Sequence, residues 1–131
     1  MSRFLRFCVA GTIGFVIDAG VLQALVGGLG MDPYIARVFS FLAAATATWW
    51  INRRYTFESR VEATRSEWMK YVTLMLAGAA VNYGAYAVCI AFWGFARAHL
   101  WLAVAIGSIA GLAVNYLTSS RLVFRPPAAP G

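Results

Sequence analysis

The chain has 131 residues, of which 61% are apolar and only 12% are charged, and its formal net charge is +6. A soluble domain averages about 25% charged residues, so this composition leaves too little polar surface for a water-soluble globule. The positive charges gather in short clusters between apolar stretches, a pattern that fits anionic lipid headgroups better than nucleic acid.

Four apolar stretches are long enough to cross a bilayer, because a hydrocarbon core of about 30 Å requires roughly 20 helical residues. They cover about residues 7–29, 33–51, 69–93 and 100–118. No sustained alternation of polar and apolar positions favours a closed β-barrel. We therefore predict an all-α integral membrane protein with one four-helix domain over residues 1–125. A loop is expected at 52–68 and a disordered Pro-rich tail at 126–131.

The first stretch contains an intramembrane acid, Asp18, and lacks a clear cleavage site, so we expect it to be retained rather than removed as a signal peptide. A rise of about 1.5 Å per residue places Asp18 about 21 Å from Phe4 at the membrane edge. Arg37 descends from the opposite side of the membrane, in the next helix, to a similar depth. A charge in lipid is costly unless it is paired or hydrated. We predict that Asp18 and Arg37 pair or share a polar pocket, with either a structural or a functional role.

The second half of the chain repeats features of the first half. Matched residues are 64 positions apart in the odd helices and 67 apart in the even helices. The pairs include Gly14 with Gly78, Asp18 with Asn82, Arg6 with Lys70, Thr48 with Asn115, and Arg54 with Arg121. We therefore predict two tandem helical hairpins that form a parallel internal repeat.

Each even helix carries a small residue at every fourth position. The members are Ala36, Ser40, Ala44 and Thr48 in the second helix, and Ala103, Gly107, Gly111 and Asn115 in the fourth. Such stripes let helices approach closely in lipid. We expect them to pack within the monomer or a dimer, and we expect Cys8 and Cys89 to be packing residues without a disulfide.

The cations collect at one end of the predicted hairpins. Arg3 and Arg6 precede the first helix, five cations fill or edge the loop after the second, and Arg121 and Arg125 follow the fourth. The positive-inside rule predicts that both termini and the middle loop are cytoplasmic.

Three segments resemble GtrA-like membrane proteins: RFLRFCVAGTIGFVIDAGVLQAL, DPYIARVFSFLAAATATWWINRRYTF and NYLTSSRLVF. The N-R-R-aromatic-x-F end of the second helix is the most specific element, and the resemblance runs along residues 3–125. It implies a multi-pass protein of the bacterial inner membrane that handles polyprenyl-phosphate-linked sugars. The implied function is translocation of such a monosaccharide to the outer leaflet for cell-surface polysaccharide glycosylation.

If the substrate is a polyprenyl-phosphate-linked sugar, we expect a cytoplasmic site for its phosphate or headgroup and a polar route farther into the membrane. The expected headgroup contacts are Arg6, Arg54, Lys70 and Arg121, together with Asn52, Arg53 and Asn115; the expected polar route is Asp18, Arg37 and Asn82. Guanidinium groups suit bidentate phosphate binding. Arg54 is the stronger candidate of the adjacent pair because it matches Arg121, whereas Arg53 matches Ser120 and is expected to serve orientation.

Two other functions remain open. A non-transporting scaffold that anchors or recruits a polyprenyl-phosphate glycosyltransferase is the main alternative, and a small proton-coupled cation exporter is the other, which the excess of cationic side chains disfavours. No nucleophile–base pair or metal-ligand spacing is present, so no enzyme activity, metal or cofactor is expected. The expected partners are membrane lipids, the sugar lipid, a possible glycosyltransferase and further copies of the chain, but no nucleic acid.

Overall fold

The structure, a computed structural model, describes residues 1–124. This part of the chain contains helices and no strands, so the all-α prediction is confirmed. Four of its helical segments are long and apolar enough to span a membrane. The described residues form two compact units, Met1–Val72 and 73–124. The tail predicted at 126–131 lies outside the described residues.

The helices are α1 (Arg3–Gln23), α2 (Pro33–Ile51), α3 (Arg65–Phe92), α4 (Gly94–Ala98) and α5 (Leu100–Thr118). Three of them continue without a break into a π-helical turn: α1 into Ala24–Gly28, α2 into Asn52–Thr56 and α5 into Ser119–Val123. The candidate spans therefore extend over Arg3–Gly28, Pro33–Thr56, Arg65–Phe92 and Leu100–Val123.

The N-R-R segment is helical, and this corrects the loop that we predicted over 52–68. The backbone amide of Phe57 donates to the carbonyl of Asn52 at 2.8 Å, the five-residue hydrogen bond of a π-helical turn. The chain then reverses at Glu58, whose φ of 48° lies in the left-handed region. Polar residues after an apolar run look like a loop in sequence, but here the turn buries Asn52 and Arg53.

Short polar side chains cap the starts of α1 and α2. The hydroxyl of Ser2 accepts from the amide of Leu5 at 3.1 Å at the start of α1. The carboxylate of Asp32 accepts from the first amides of α2, where Pro33 occupies a position that needs no donor.

At the end of α3, Arg97 of the following α4 donates to two backbone carbonyls, those of Ile90 and Ala91, that the helix leaves open.

In the first unit, α1 packs against α2 through small residues. A Cβ atom added at Gly14 would contact Cγ2 of Thr48, so the two backbones approach closely. Ala36, Ser40 and Ala44 are buried. The small-residue stripe of α2 therefore packs within the chain.

In the second unit, α5 packs against α3 in the same manner. A Cβ at Gly107 would lie 2.5 Å from the carbonyl oxygen of Asn82, and one at Gly111 would lie 3.0 Å from that of Gly78. A Cβ at Gly78 would overlap the side chain of Asn115. The stripe of α5 is thus also an internal packing surface.

Local geometry recurs between the two units at the spacing found in the sequence. The close contact of Gly14 with Thr48 has its counterpart in Gly78 with Asn115. The π-helical turns Asn52–Thr56 and Ser119–Val123 are also matched position by position. These similarities support the proposed internal repeat.

The contact between Gly14 and Thr48 gives a testable prediction. We expect Gly14→Ala to lower the free energy of unfolding by about 1–3 kcal/mol, the usual cost of overpacking. Thr48→Ser would remove the obstructing Cγ2 but keep the hydroxyl that accepts from Tyr71 at 3.0 Å. Denaturant titrations in detergent micelles should therefore show a smaller effect of Gly14→Ala in the Thr48→Ser background, and an equal effect in both backgrounds would contradict this packing.

Candidate functional site

Two arginines lie beside Tyr55 at the end of the first unit where α1 begins and α2 ends. Nη1 of Arg6 donates to the backbone carbonyl of Tyr55 at 3.2 Å and to Oε1 of Glu58 at 3.4 Å. The guanidinium carbon of Arg54 lies 5.9 Å from the centroid of the Tyr55 ring. Tyr55 therefore contacts both guanidinium groups, that of Arg6 through its carbonyl and that of Arg54 through its ring.

A third arginine, Arg3, extends this cationic end. Its guanidinium carbon lies 5.7 Å from the centroid of the Phe57 ring, a cation–π contact. Phe57 in turn packs edge-on against Phe7 of α1, with the ring centroids 6.2 Å apart. Aromatic packing thus fixes the position of the turn that the arginines surround.

The charge at this end is only partly neutralised. Glu58 pairs with Arg6, but its side chain is 73% exposed, and exposed ion pairs contribute about 0–1 kcal/mol. Arg54 is exposed, and no carboxylate within residues 1–124 forms a salt bridge with it. An anion could therefore bind Arg54 directly and displace Glu58 from Arg6 at little cost.

Asn52, which we predict as a headgroup contact, turns inward in this structure. It is 1% exposed, its amide nitrogen donates to the Tyr71 hydroxyl at 3.1 Å, and its amide oxygen accepts from Thr56 at 2.8 Å. The Tyr71 hydroxyl donates onward to Thr48 at 3.0 Å. Asn52 therefore belongs to a buried polar network that joins α2 to the first turns of α3.

Arg53, also predicted as a headgroup contact, likewise turns inward. Its Nη2 lies 3.2 Å from Oε2 of Glu67, and the side chains are only 9% and 14% exposed. Arg53 also donates to the backbone carbonyl of Val61, and Trp49 donates to the second oxygen of Glu67 at 3.3 Å. Arg53 is a structural residue that holds the 57–64 loop and the start of α3.

Asp18 and Arg37 form an ion pair between α1 and α2, as expected from their depths in the sequence. Nη1 of Arg37 also lies 3.4 Å from the hydroxyl of Ser40, which accepts from it. The Asp18 side chain is largely covered, whereas more than half of the Arg37 side chain is exposed. The pair satisfies a carboxylate that would otherwise be costly in lipid.

The second unit holds the remaining candidates. Arg121 is exposed in the π-helical turn after α5, and Asn82 is half-buried on α3. The Asn115 amide oxygen and the Ser119 hydroxyl are buried without a hydrogen-bond partner within residues 1–124. In the first unit, Lys70 is exposed on α3.

A family model described as GtrA/DPMS, transmembrane domain, matches residues 6–124. The chain belongs to this family. The match confirms the resemblance of the three sequence segments and covers nearly all of the four candidate spans.

Membership in the GtrA/DPMS family identifies a multi-pass membrane protein of lipid-linked sugar processes. Family members are generally non-catalytic. Within residues 1–124, no three His, Cys, Asp or Glu side chains gather where they could hold a metal ion.

Three residues make contacts in this structure that the sequence did not predict. Arg3 entered only the positive-inside prediction, although its place one helical turn before Arg6 puts both on one face of α1. Glu67 and Tyr71 carry the buried network after α2. Their position close to an apolar segment indicated that the Glu67 carboxylate and the Tyr71 phenol could be buried. The sequence did not indicate which residues they would contact.

Proposed function

We propose that this protein moves a polyprenyl-phosphate-linked monosaccharide from the cytoplasmic to the outer leaflet of the bacterial inner membrane, for glycosylation of cell-surface polysaccharide. Family membership supports a lipid-linked sugar as the substrate. The observation that carries the proposal is that Tyr55, where α1 begins and α2 ends, contacts both the exposed guanidinium of Arg54 and the guanidinium of Arg6. Two guanidinium groups suit the oxygens of a phosphate monoester or diester.

The proposed path begins with phosphate capture. The positive-inside rule predicts that the arginine-bearing end of the first unit is cytoplasmic. The phosphate would bind Arg54 and replace Glu58 on Arg6, while the polyprenyl chain stays in lipid. No covalent bond changes, so the free energy must come from an ion gradient or from consumption of the sugar in the outer leaflet.

Asp18 and Arg37 would serve the next stage of the crossing. Asp18 lies twelve residues beyond Arg6 on α1, or about 18 Å along the helix. If the ion pair opens, its two charged groups can exchange their mutual contact for hydrogen bonds with the sugar and phosphate. A polar headgroup would then meet a polar partner instead of bare hydrocarbon.

Reconstitution into liposomes tests this proposal. The lipid would carry a labelled polyprenyl-phosphate monosaccharide, and its accessibility to a membrane-impermeant reagent would be followed over time. We expect Arg54→Ala to slow translocation at least about tenfold, because hydrogen bonds to charged groups contribute about 1.5–3 kcal/mol. Arg60→Ala removes an equal charge from an exposed loop position and should retain the wild-type rate.

Equal rates for wild-type proteoliposomes and protein-free liposomes would contradict translocation. The scaffold function would then be supported by co-purification of a polyprenyl-phosphate glycosyltransferase with the inert protein. If Arg54→Ala and Arg60→Ala slow translocation equally, the effect comes from the overall positive charge at the membrane surface and not from a specific contact of Arg54.

A further inference from the structure

The second unit opens a groove at the positions that match the Asp18–Arg37 ion pair of the first unit. The repeat spacing matches Asp18 with Asn82 and Arg37 with Val104. Asn82 and Val104 both line a groove of about 360 Å³ between α3 and α5, together with Ala79, Tyr83 and Tyr86. Where the first unit holds a closed pair of charges, the second therefore offers open space without a charged side chain in its lining.

The lining combines neutral hydrogen-bonding groups with aromatic surfaces. The rings of Tyr83 and Tyr86 have centroids 6.3 Å apart and planes inclined by 38°. Tyr83 is 72% exposed, so the groove is open along its side. A tyrosine presents an apolar ring together with a hydroxyl that seeks a hydrogen-bond partner.

Asn82 is the polar centre of this groove. Its Cβ lies against Gly111, and its Oδ1 lies 2.7 Å from the position that a Cβ at Gly107 would take, so the crossing with α5 holds the side chain in place. The Asn82 amide makes no hydrogen bond to another side chain within residues 1–124 and is half-buried. A polar side chain within a membrane helix faces protein or a wet cavity rather than lipid.

The groove lining suits the sugar of a lipid-linked sugar better than its phosphate or its prenyl chain. A phosphate favours cations, which the lining lacks, and a prenyl chain would leave the Asn82 amide without a partner. A sugar ring has hydroxyls for the amide and the two phenols, and C–H faces that pack on aromatic rings. The volume lies near the lower end of the range of about 300–1,000 Å³ for small-molecule sites, which fits one sugar unit.

We propose that the groove formed by Asn82, Tyr83 and Tyr86 binds the uncharged sugar of the lipid-linked substrate during its passage. The inference rests on the proposed translocation function and assigns it a sugar-recognition site separate from the phosphate site at Arg54. Asn82 and the two phenols contact the sugar hydroxyls, while Ala79 and Val104 form the apolar wall.

Binding measurements on the full chain in lipid nanodiscs test the groove. The probes are undecaprenyl-phosphate glucose, mannose and arabinose, and undecaprenyl phosphate without a sugar serves as the reference. We expect the wild type to bind at least one of the sugar lipids about tenfold more tightly than the reference. Asn82→Leu should abolish most of this preference and leave the affinity for the reference lipid unchanged.

Asn82→Leu could also lower the sugar preference by disturbing helix packing, so variants that change less volume are needed. Tyr83→Phe and Tyr86→Phe remove only a hydroxyl each, and we expect each to reduce the sugar preference about threefold to tenfold. Tyr34→Phe is the matched control, because Tyr34 is 86% exposed on α2 and does not line the groove. Arg54→Ala should weaken binding of the reference lipid, which has a phosphate but no sugar.

The outcomes separate the two proposals. If the wild type binds neither sugar lipid nor reference, the translocation proposal fails. If it binds undecaprenyl phosphate but prefers no sugar lipid, or if the three groove variants keep the wild-type preference within twofold, only the sugar groove is overturned.

Discussion

Replacing Arg53 with alanine is expected to lower the free energy of unfolding by about 3–5 kcal/mol, because Glu67 would keep a buried charge without its cation. The pair is 3.2 Å apart and almost fully covered. Arg53 also holds the 57–64 loop through the carbonyl of Val61, a contact that alanine cannot replace. Denaturant titration of the purified protein in detergent micelles measures the loss.

The neighbouring arginine supplies the matched control. Arg54 is exposed and makes a cation–π contact with Tyr55, so Arg54→Ala should change the unfolding free energy by no more than about 0.5 kcal/mol. Adding Glu67→Gln to Arg53→Ala should recover part of the loss. The neutral amide can still accept from Trp49, and no unpaired charge remains buried.

Two results would contradict this account of Arg53. One is an equal and small loss of stability for the Arg53 and Arg54 variants. The other is the absence of any recovery when Glu67 is neutralised in the Arg53→Ala background. We expect the two variants to differ: Arg53→Ala should lower the free energy of unfolding, whereas Arg54→Ala should lower the rate of translocation.

The features that the sequence could predict are those set by the cost of polar groups in lipid. Helix number and approximate span follow from apolar length, because a segment of about 20 residues is required to cross the core. The pairing of Asp18 with Arg37 followed from their equal depths, since neither charge is tolerated alone. The small-residue stripes followed from a spacing of four along a helix.

The end of α2 could not be predicted, because its structure depends on partners distant in sequence. A polar Asn-Arg-Arg run after an apolar helix has the composition of a loop, yet Tyr71 and Glu67 bury it and keep it helical. Three glutamates follow in this region, at 58, 62 and 67, and their spacing does not choose the partner of Arg53. Burial of Arg53 and exposure of Arg54 emerge only from the tertiary contacts.

The groove of the second unit illustrates the same limit. Asn82 was recognised as an intramembrane polar residue by its match with Asp18, whereas no repeat match distinguished Tyr83 and Tyr86 beside it. Their proposed role depends on α5 approaching α3 closely enough for Gly107 to lie against Asn82.

Gly107→Ala is expected to lower the free energy of unfolding by about 1–3 kcal/mol, because the new methyl group would lie 2.5 Å from the carbonyl oxygen of Asn82. A backbone atom cannot rotate away as a flexible side chain can, so α3 and α5 must separate. The separation would also displace Asn82 and Tyr86, whose Cβ is 3.3 Å from the same position. We therefore expect the sugar preference to fall along with stability, while binding of undecaprenyl phosphate is retained.

Gly84→Ala provides a control on α3 with the opposite expected sign. A Cβ at Gly84 meets nothing within 4 Å, so alanine should raise stability by up to about 1 kcal/mol through its higher helix propensity. Unfolding titrations of both variants in the same detergent give the comparison. If Gly107→Ala proves as well tolerated as Gly84→Ala, the two helices do not cross at Gly107, and the groove at Asn82 loses the contact that shapes it.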